Sequence, residues 1–486
     1  MSGAAEFTKH GGPTTKTRGP GSRRRWRGIV PAFAGLAGFA GLLAAGAPQA
    51  VGQTMTQALA EAYNTNPQLL AQRALLRATD EQVPQALSGW RPTVNFTGQV
   101  GGARGSFAQA PASTSYLTFY QNNVNLQVTQ PLYTGGRTLA QTRQAVNTVQ
   151  STRAQTLSIE TTVFQAVAQA YLDVVENQAL VEVDRNNVQV LQKQLEATQD
   201  RFRVGEVTRT DVAQAEASLA QAVGTLTAAE GTLAQARAEY VRVVGHPPGI
   251  LILPRERPTL PATREEALTL AADNNFNVIS ANFAELAARD NIDVVRGQLL
   301  PQISLVGTLS RLVSPSITLS SAVESSAAIM AQMTMPLYEG GAIYSQTRQA
   351  EQTVGQRRSQ VDDARRAAVQ TTEDAWETLK AARASISSFA AAVRAAQIAL
   401  EGLQQEALVG TATTLDVLVQ NQTLLTTQQQ LITAEHDAAL AEYNLAAGTG
   451  RLIAADLHLP VQIYDMERHY NQVRDKWAGF GGGLKE

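Results

Sequence analysis

From Thr93 to Val100 the chain alternates. Val94, Phe96 and Val100 fall on one face, and Thr93, Asn95, Thr97 and Gln99 on the other. The same alternation returns between Asn123 and Thr129, with Val124, Leu126 and Val128 on one face and Asn123, Asn125, Gln127 and Thr129 opposite. A period of two predicts strands with one apolar and one polar face. Between them a Gly/Ser/Ala-rich stretch, roughly residues 101–118, reads as a hairpin loop, so the hairpin spans about 92–131. Helical patterning precedes it over about 55–88, follows it over about 135–202, and resumes over about 209–244 beyond the break "RVGEVT". The proline-rich stretch 245–262 is a connector.

The plan is then written a second time. "VTQPLYTGGRTLAQTRQA", from Val128, returns as "MTMPLYEGGAIYSQTRQA" from Met333. Pro131 and Pro336, Gly205 and Gly410, and Asp211 and Asp416 are each 205 positions apart, whereas Pro92 and Pro301, upstream of the hairpins, are 209 apart. The difference assigns four extra residues to the first hairpin loop. A repeat of this period decides the architecture. The first repeat is predicted over 53–262. The second covers 263–450, with a helix over 263–299, a hairpin at about 301–336, a long helix at about 339–408 and a return helix at about 414–447. Residues 451–486 form a C-terminal segment and tail.

Each long helix has about 70 residues, or roughly 105 Å at 1.5 Å per residue. The pieces 209–244 and 263–299 together match that length and are expected to stack end to end beside the first long helix. The helix over 55–88 would then complete the second layer. At the strand-to-helix junctions, Pro131 and Pro336 lack a ladder donor and are expected to end their strands. Gly135, Gly136, Gly340 and Gly341 let the backbone turn without a Cβ clash. Four strands with an apolar and a polar face read as outer-membrane strands or as the edge of a soluble β-sandwich. In lipid, four strands with open edges require further copies, and three copies supply twelve strands.

Composition narrows the classes. Aromatic residues are only 6% of the chain, which suits thin layers of Ala-rich helices better than a thick core. A net charge of −2 gives no sign of a nucleic-acid partner. The absence of cysteine excludes disulfides, cysteine-ligated metals and a lipid on an N-terminal cysteine. Arg23, Arg24, Arg25 and Arg27 precede an apolar, small-residue stretch, so residues 1–52 read as a cleaved signal peptide, with a retained anchor as the alternative. The histidines are scattered without metal-ligand spacing, and neither a phosphate loop nor a nucleophile elbow occurs. No enzyme chemistry, metal or cofactor is expected.

At "PLYTGG", "PLYEGG", "VGEVTRTDV" and "VGTATTLDV" the chain resembles the TolC family of outer-membrane channel-tunnels, over essentially its whole length past the signal. The missing cysteine fits the non-lipidated branch. The resemblance implies a mixed α and β membrane protein: a homotrimer with a twelve-stranded transmembrane β-barrel, four strands per chain, continued by a long α-helical periplasmic barrel. It implies the exit duct of a tripartite export system, partnered by a periplasmic adaptor and an inner-membrane ABC or RND transporter. The cargo is protein or small toxic molecules. A non-conducting trimeric coiled coil of the cell envelope is the rival.

The resemblance also assigns roles. Asp416 would line the constriction at the periplasmic mouth. The family's second aspartate one turn later is Val419 here, leaving one acidic ring. As a residue of a helix start, Asp416 also suits the macrodipole without any pore role. Asp211 matches the family's gating aspartate. The usual arginine and tyrosine partners correspond here to Ala412 and Ala407, so that lock is absent, with Arg209 as a candidate substitute and helix capping as the plain alternative. Val204, Gly205, Glu206, Val409, Gly410 and Thr411 form the two tips, where glycine serves the turn and the resemblance implies adaptor contact.

Overall fold

In a computed structural model of the chain, residues 53–109, 113–254, 257–314 and 322–480 are described. The expected signal segment, the connector residues 255–256 and the end of the tail lie outside them. The helices of the two repeats pack against one another, and the strands of both repeats form a single antiparallel sheet. The first repeat comprises α1 (Met55–Thr65), α2 (Pro67–Asp80), α3 (Gln82–Leu87), β1 (Thr93–Gln109), β2 (Ser113–Thr134), α4 (Arg137–Arg203) and α5 (Arg209–Val244). The second comprises α6 (Arg264–Asn274), α7 (Phe276–Arg296), β3 (Gln302–Ser314), β4 (Ala322–Thr334), α8 (Ala342–Leu408) and α9 (Thr414–Gly448). A short α10 (Arg468–Val473) follows. The helices α4 and α8 each have 67 residues, about 100 Å of α-helix. No described helix is long and apolar enough to cross a membrane.

The strand order is β1-β2-β3-β4. Register carries the apolar face across all four strands: Phe96 opposes Leu126, Leu126 opposes Leu309, and Leu309 opposes Ala327. On the other face Thr97, Asn125, Ser310 and Ser326 line up in the same way. Phe96, Val100 and Ile329 are exposed, a face that water would not leave uncovered.

Two expectations about the hairpins need correction. Most of the stretch 101–118 is strand, because β1 and β2 pair from Thr93↔Thr129 to Gln109↔Ser113. The extra length of the first hairpin therefore lies in its strands, 17 and 22 residues against 13 and 13 in the second. Paired backbone needs no apolar alternation, so small residues there did not mark a loop. Nor does Pro131 end its strand. β2 continues to Thr134 with a register shift between Pro131 and Tyr133. Past Thr129 only β3 flanks β2, and a residue without an N–H is tolerated at such an edge. Pro336 stands beyond the end of β4 at Thr334.

The stacking of the short helices is also different. The Asn66 side chain caps α2 by accepting from the Gln68 N–H, and its Nδ2 donates to the Val243 carbonyl at the end of α5, 3.0 Å away. Asn275 does the same for α7, accepting from the Asn277 N–H and donating to the Gly448 carbonyl at the end of α9, at 3.1 Å. Each return helix is thus continued by the upper helix of its own repeat: α5 by α2, and α9 by α7. The same asparagine breaks each upper helix, the first with Pro67 at its opening turn.

The thickest core lies where these breaks occur. Leu59, Tyr63, Phe164, Tyr171 and Tyr240 pack there with Leu452 and Leu459 of the C-terminal segment. Ties to the backbone lock it: the Tyr464 N–H donates to Tyr63 Oη at 2.9 Å, and the Ala454 N–H to buried Glu160 at 2.7 Å. Burial raises the Glu160 carboxyl above the usual range, against the pull of that bond and of Arg73. Towards the tips the buried apolar residues are Ala, Leu and Val, in small clusters such as Leu191, Ala222 and Leu418.

Candidate functional site: helix tips and the seam between repeats

The two tips are built alike. Gly205 and Gly410 are left-handed, at φ 81° and 82°, and a Cβ at either would be strained. Their N–H groups donate to the Phe202 and Ala407 carbonyls, and the next residues, Glu206 and Thr411, donate to Arg201 and Glu406, closing the long helices. Three residues after each glycine a threonine starts the return helix. Thr208 accepts from the Asp211 N–H, and Asp211 Oδ2 accepts from the Thr208 N–H at 2.8 Å and its hydroxyl at 2.7 Å. Thr413 and Asp416 repeat this, with 2.9 and 2.6 Å. These are capping boxes with Asp in place of the usual Glu.

The threonine hydroxyls, and then the threonine amides, hold both aspartates below the ordinary carboxylate range. Asp416 is therefore an exposed, firmly ionised group at the lower end of α9. Asp211 meets Thr208, and Arg209 forms no ion pair among the described residues. Two nearby arginines do: Arg201 Nε lies 3.1 Å from Glu206 across the turn, and Arg203 pairs with Asp200 one turn back on α4. Leu408 and Val409 are 78% and 75% exposed and Val204 72%, so each tip presents apolar side chains to a partner or to solvent.

Above the tips α4 and α9 run antiparallel along a polar seam that sequence reading did not find. Asn421 Nδ2 donates to Asn187 Oδ1 at 2.7 Å, Gln429 Nε2 to Asp184 at 2.8 Å, and Thr433 Oγ1 to Glu176 at 2.8 Å. His436 Nε2 meets Asp173 Oδ1 at 2.9 Å, and Gln165 donates to Asn444 at 3.2 Å. Burial raises the Asp184 carboxyl, partly offset by Gln429. Burial opposes a charge on His436, but its bonds to Asp173 and Asp437 and the charge of Glu176 outweigh this and push it up to about 9. Partners 234 to 279 positions apart leave no local motif. The only signal in the sequence is that polar residues recur along helices otherwise built from Ala, Leu and Val.

Comparison with known proteins places this architecture. A family profile described as outer membrane efflux protein matches residues 58–246 and 267–451, one stretch in each repeat. The outer membrane efflux protein BepC of Brucella suis is 37% identical over 431 residues, covering 88% of this chain and 92% of that protein. The outer membrane protein TolC of Escherichia coli is 25% identical over 451 residues, 88% and 87% of the two chains. The solved CmeC outer membrane channel of Campylobacter jejuni superposes with a TM-score of 0.72 at 15% identity, covering 87% of this chain and 89% of that one.

Proposed function

The chain belongs to the outer membrane efflux protein family, and we propose that three copies close into one continuous duct. Its function is that of the outer-membrane exit duct of a tripartite export system, conducting cargo passively from the periplasmic side outwards. The observation that carries this is the two-faced sheet. It has an apolar face and a polar face in register across four strands, and β1 and β4 remain open at its edges. Open edges cannot stand in lipid, and other copies of the same chain complete the barrel. The long helices carry the duct into the periplasm. The tips meet a periplasmic adaptor there, and an ABC or RND transporter of the inner membrane supplies the energy. No bond chemistry is required of the chain.

In this reading Asp416 forms a ring of three carboxylates at the periplasmic mouth. A ring of ionised groups attracts cations. Because Asp416 is also a helix cap, its substitution alone cannot separate the two roles. Asp211 supplies the control, since it caps α5 by the same bonds. The test is single-channel conductance of the purified protein in planar bilayers, for the wild type, Asp416→Ala and Asp211→Ala. Small cation-favouring currents that lose their preference in Asp416→Ala alone support the duct and the ring. Equal changes in both variants remove Asp416 from the constriction. No current from inserted trimers refutes the duct.

A further inference from the structure

His436 is the one histidine of the seam, and it faces carboxylates from both helices. Asp173 and Glu176 stand one turn apart on α4 and project towards α9. One ligand atom from each of Asp173, Glu176 and His436 lies within 4.8 Å of the other two. His436 Nε2 is 2.9 Å from Asp173 Oδ1, and Glu176 Oε2 is 3.8 Å from Nδ1. A tetrahedral ion with bonds of about 2.0–2.1 Å sets its ligands roughly 3.3 Å apart, so on binding at Nε2 the Asp173 oxygen would move out by about 0.4 Å and the Glu176 carboxylate would turn in from beside Nδ1. The groups around the three are also arranged as ligand supports. Asp437 Oδ1 lies 3.1 Å from Nδ1 and holds that nitrogen as the donor, leaving Nε2 to face Asp173. Thr433 fixes the other oxygen of Glu176. The imidazole side chain is only 11% exposed and the Glu176 side chain 16%, so few water molecules compete for the position.

We propose that Asp173, Glu176 and His436 form a binding site for a late first-row divalent cation such as Zn²⁺, bridging the long helix of the first repeat and the return helix of the second. Imidazole with two carboxylates selects this class over Mg²⁺ and Ca²⁺, which take oxygen ligands alone. Three protein ligands leave a fourth position for water. Two carboxylates and a neutral imidazole give the bound ion a neutral first sphere, with Asp437 as outer partner. The ion takes the place of the proton on Nε2, so that proton leaves on binding. The consequence is a cross-link between the repeats that needs no cysteine.

The test uses the full-length protein, purified in detergent without a histidine tag and stripped with chelator. Zn²⁺ is titrated in competition with a chromogenic chelator. The expected result is one ion per chain, with affinity reduced at least 100-fold in His436→Gln and in Asp173→Asn. Asp437→Asn should weaken it by about 10–100-fold, as loss of a ligand's hydrogen-bond partner does. His246→Gln, on a different helix end, should leave it unchanged. Asp173→Asn keeps the shape of the side chain and decides the matter if His436→Gln fails to assemble. Absence of stoichiometric binding to the wild type, or equal binding by assembled Asp173→Asn, overturns the proposal.

Discussion

Gly135 and Gly136 share a left-handed conformation but not an environment. At Gly136, φ is 75° and a Cβ would meet open space. At Gly135, φ is 66°, and a Cβ would lie 2.4 Å from the Gly297 carbonyl oxygen and 2.8 Å from Leu300 Cβ. Gly136→Ala therefore carries only the left-handed penalty of about 1–2 kcal/mol. Gly135→Ala carries the same penalty plus overpacking of about 1–3 kcal/mol, because the blocking atom is backbone and cannot swing aside. The seat of the second repeat's upper helix on the first junction should loosen in that variant. The assay is thermal loss of folded protein in detergent, with hydrogen exchange read at residues 294–300. Gly135→Ala should melt clearly below Gly136→Ala and expose that segment. Equal melting of the two variants would refute the reasoning that a close approach, and not the turn alone, fixes glycine at 135.

The other positions give shorter expectations. Asn66→Ala and Asn275→Ala should each cost about 1–2 kcal/mol, since each removes a helix cap and a bond to a return helix; hydrogen exchange should rise at Val243–Val244 and at Gly448, respectively. Asp211 and Asp416 have folded pKa values below the ordinary 3.8, so their caps contribute fully above that pH and are lost as pH falls through the lower folded value. Amides at both tips should fray in strong acid, and Asp416→Asn should remove that pH dependence at the second tip. Val100→Arg, on the lipid-facing side of β1, should cost up to about 2–4 kcal/mol of barrel stability, whereas Gln99→Arg on the opposite face should be tolerated; the yield of folded protein in the outer membrane separates them.

The repeat, the alternating strands and the long helices were legible because each is a periodic signal within one segment. Loop length was not: Gly101, Gly102 and Gly105 look like breakers, yet their backbone is paired across the hairpin. The stacking of α5 on α2 was hidden for another reason. Chain order places 263–299 next after 209–244, whereas the bonds of Asn66 and Asn275 follow repeat order. At the tips the positions of Asp211 and Asp416 were legible and their capping geometry was one of two open readings, since Thr-x-x-Asp is a local pattern. The polar seam was not legible, because its partners lie in different repeats.

The register between copies follows from the same arithmetic. β2 and β3 join the two repeats, with Gln127 opposite Thr308 and Val128 opposite Gly307. Adding 205 to the β2 members and subtracting 209 from the β3 members carries this pairing to β4 of one copy and β1 of the next. Gln332 should then face Gln99 of the next copy, and Met333 should face Gly98. The chain has no cysteine, so a single engineered pair reads this contact without background. Gln332→Cys with Gln99→Cys should cross-link copies under oxidation. Gln332→Cys with Thr97→Cys, displaced by about 6–7 Å along the strand, lies outside disulfide reach. Because both pairs sit on the polar face, lipid exposure does not distinguish them, and only register does. Cross-linking favouring Thr97→Cys would shift the barrel by two residues. Absence of cross-linking in either pair would mean that β4 and β1 do not meet, and the closed twelve-stranded barrel would fall with it.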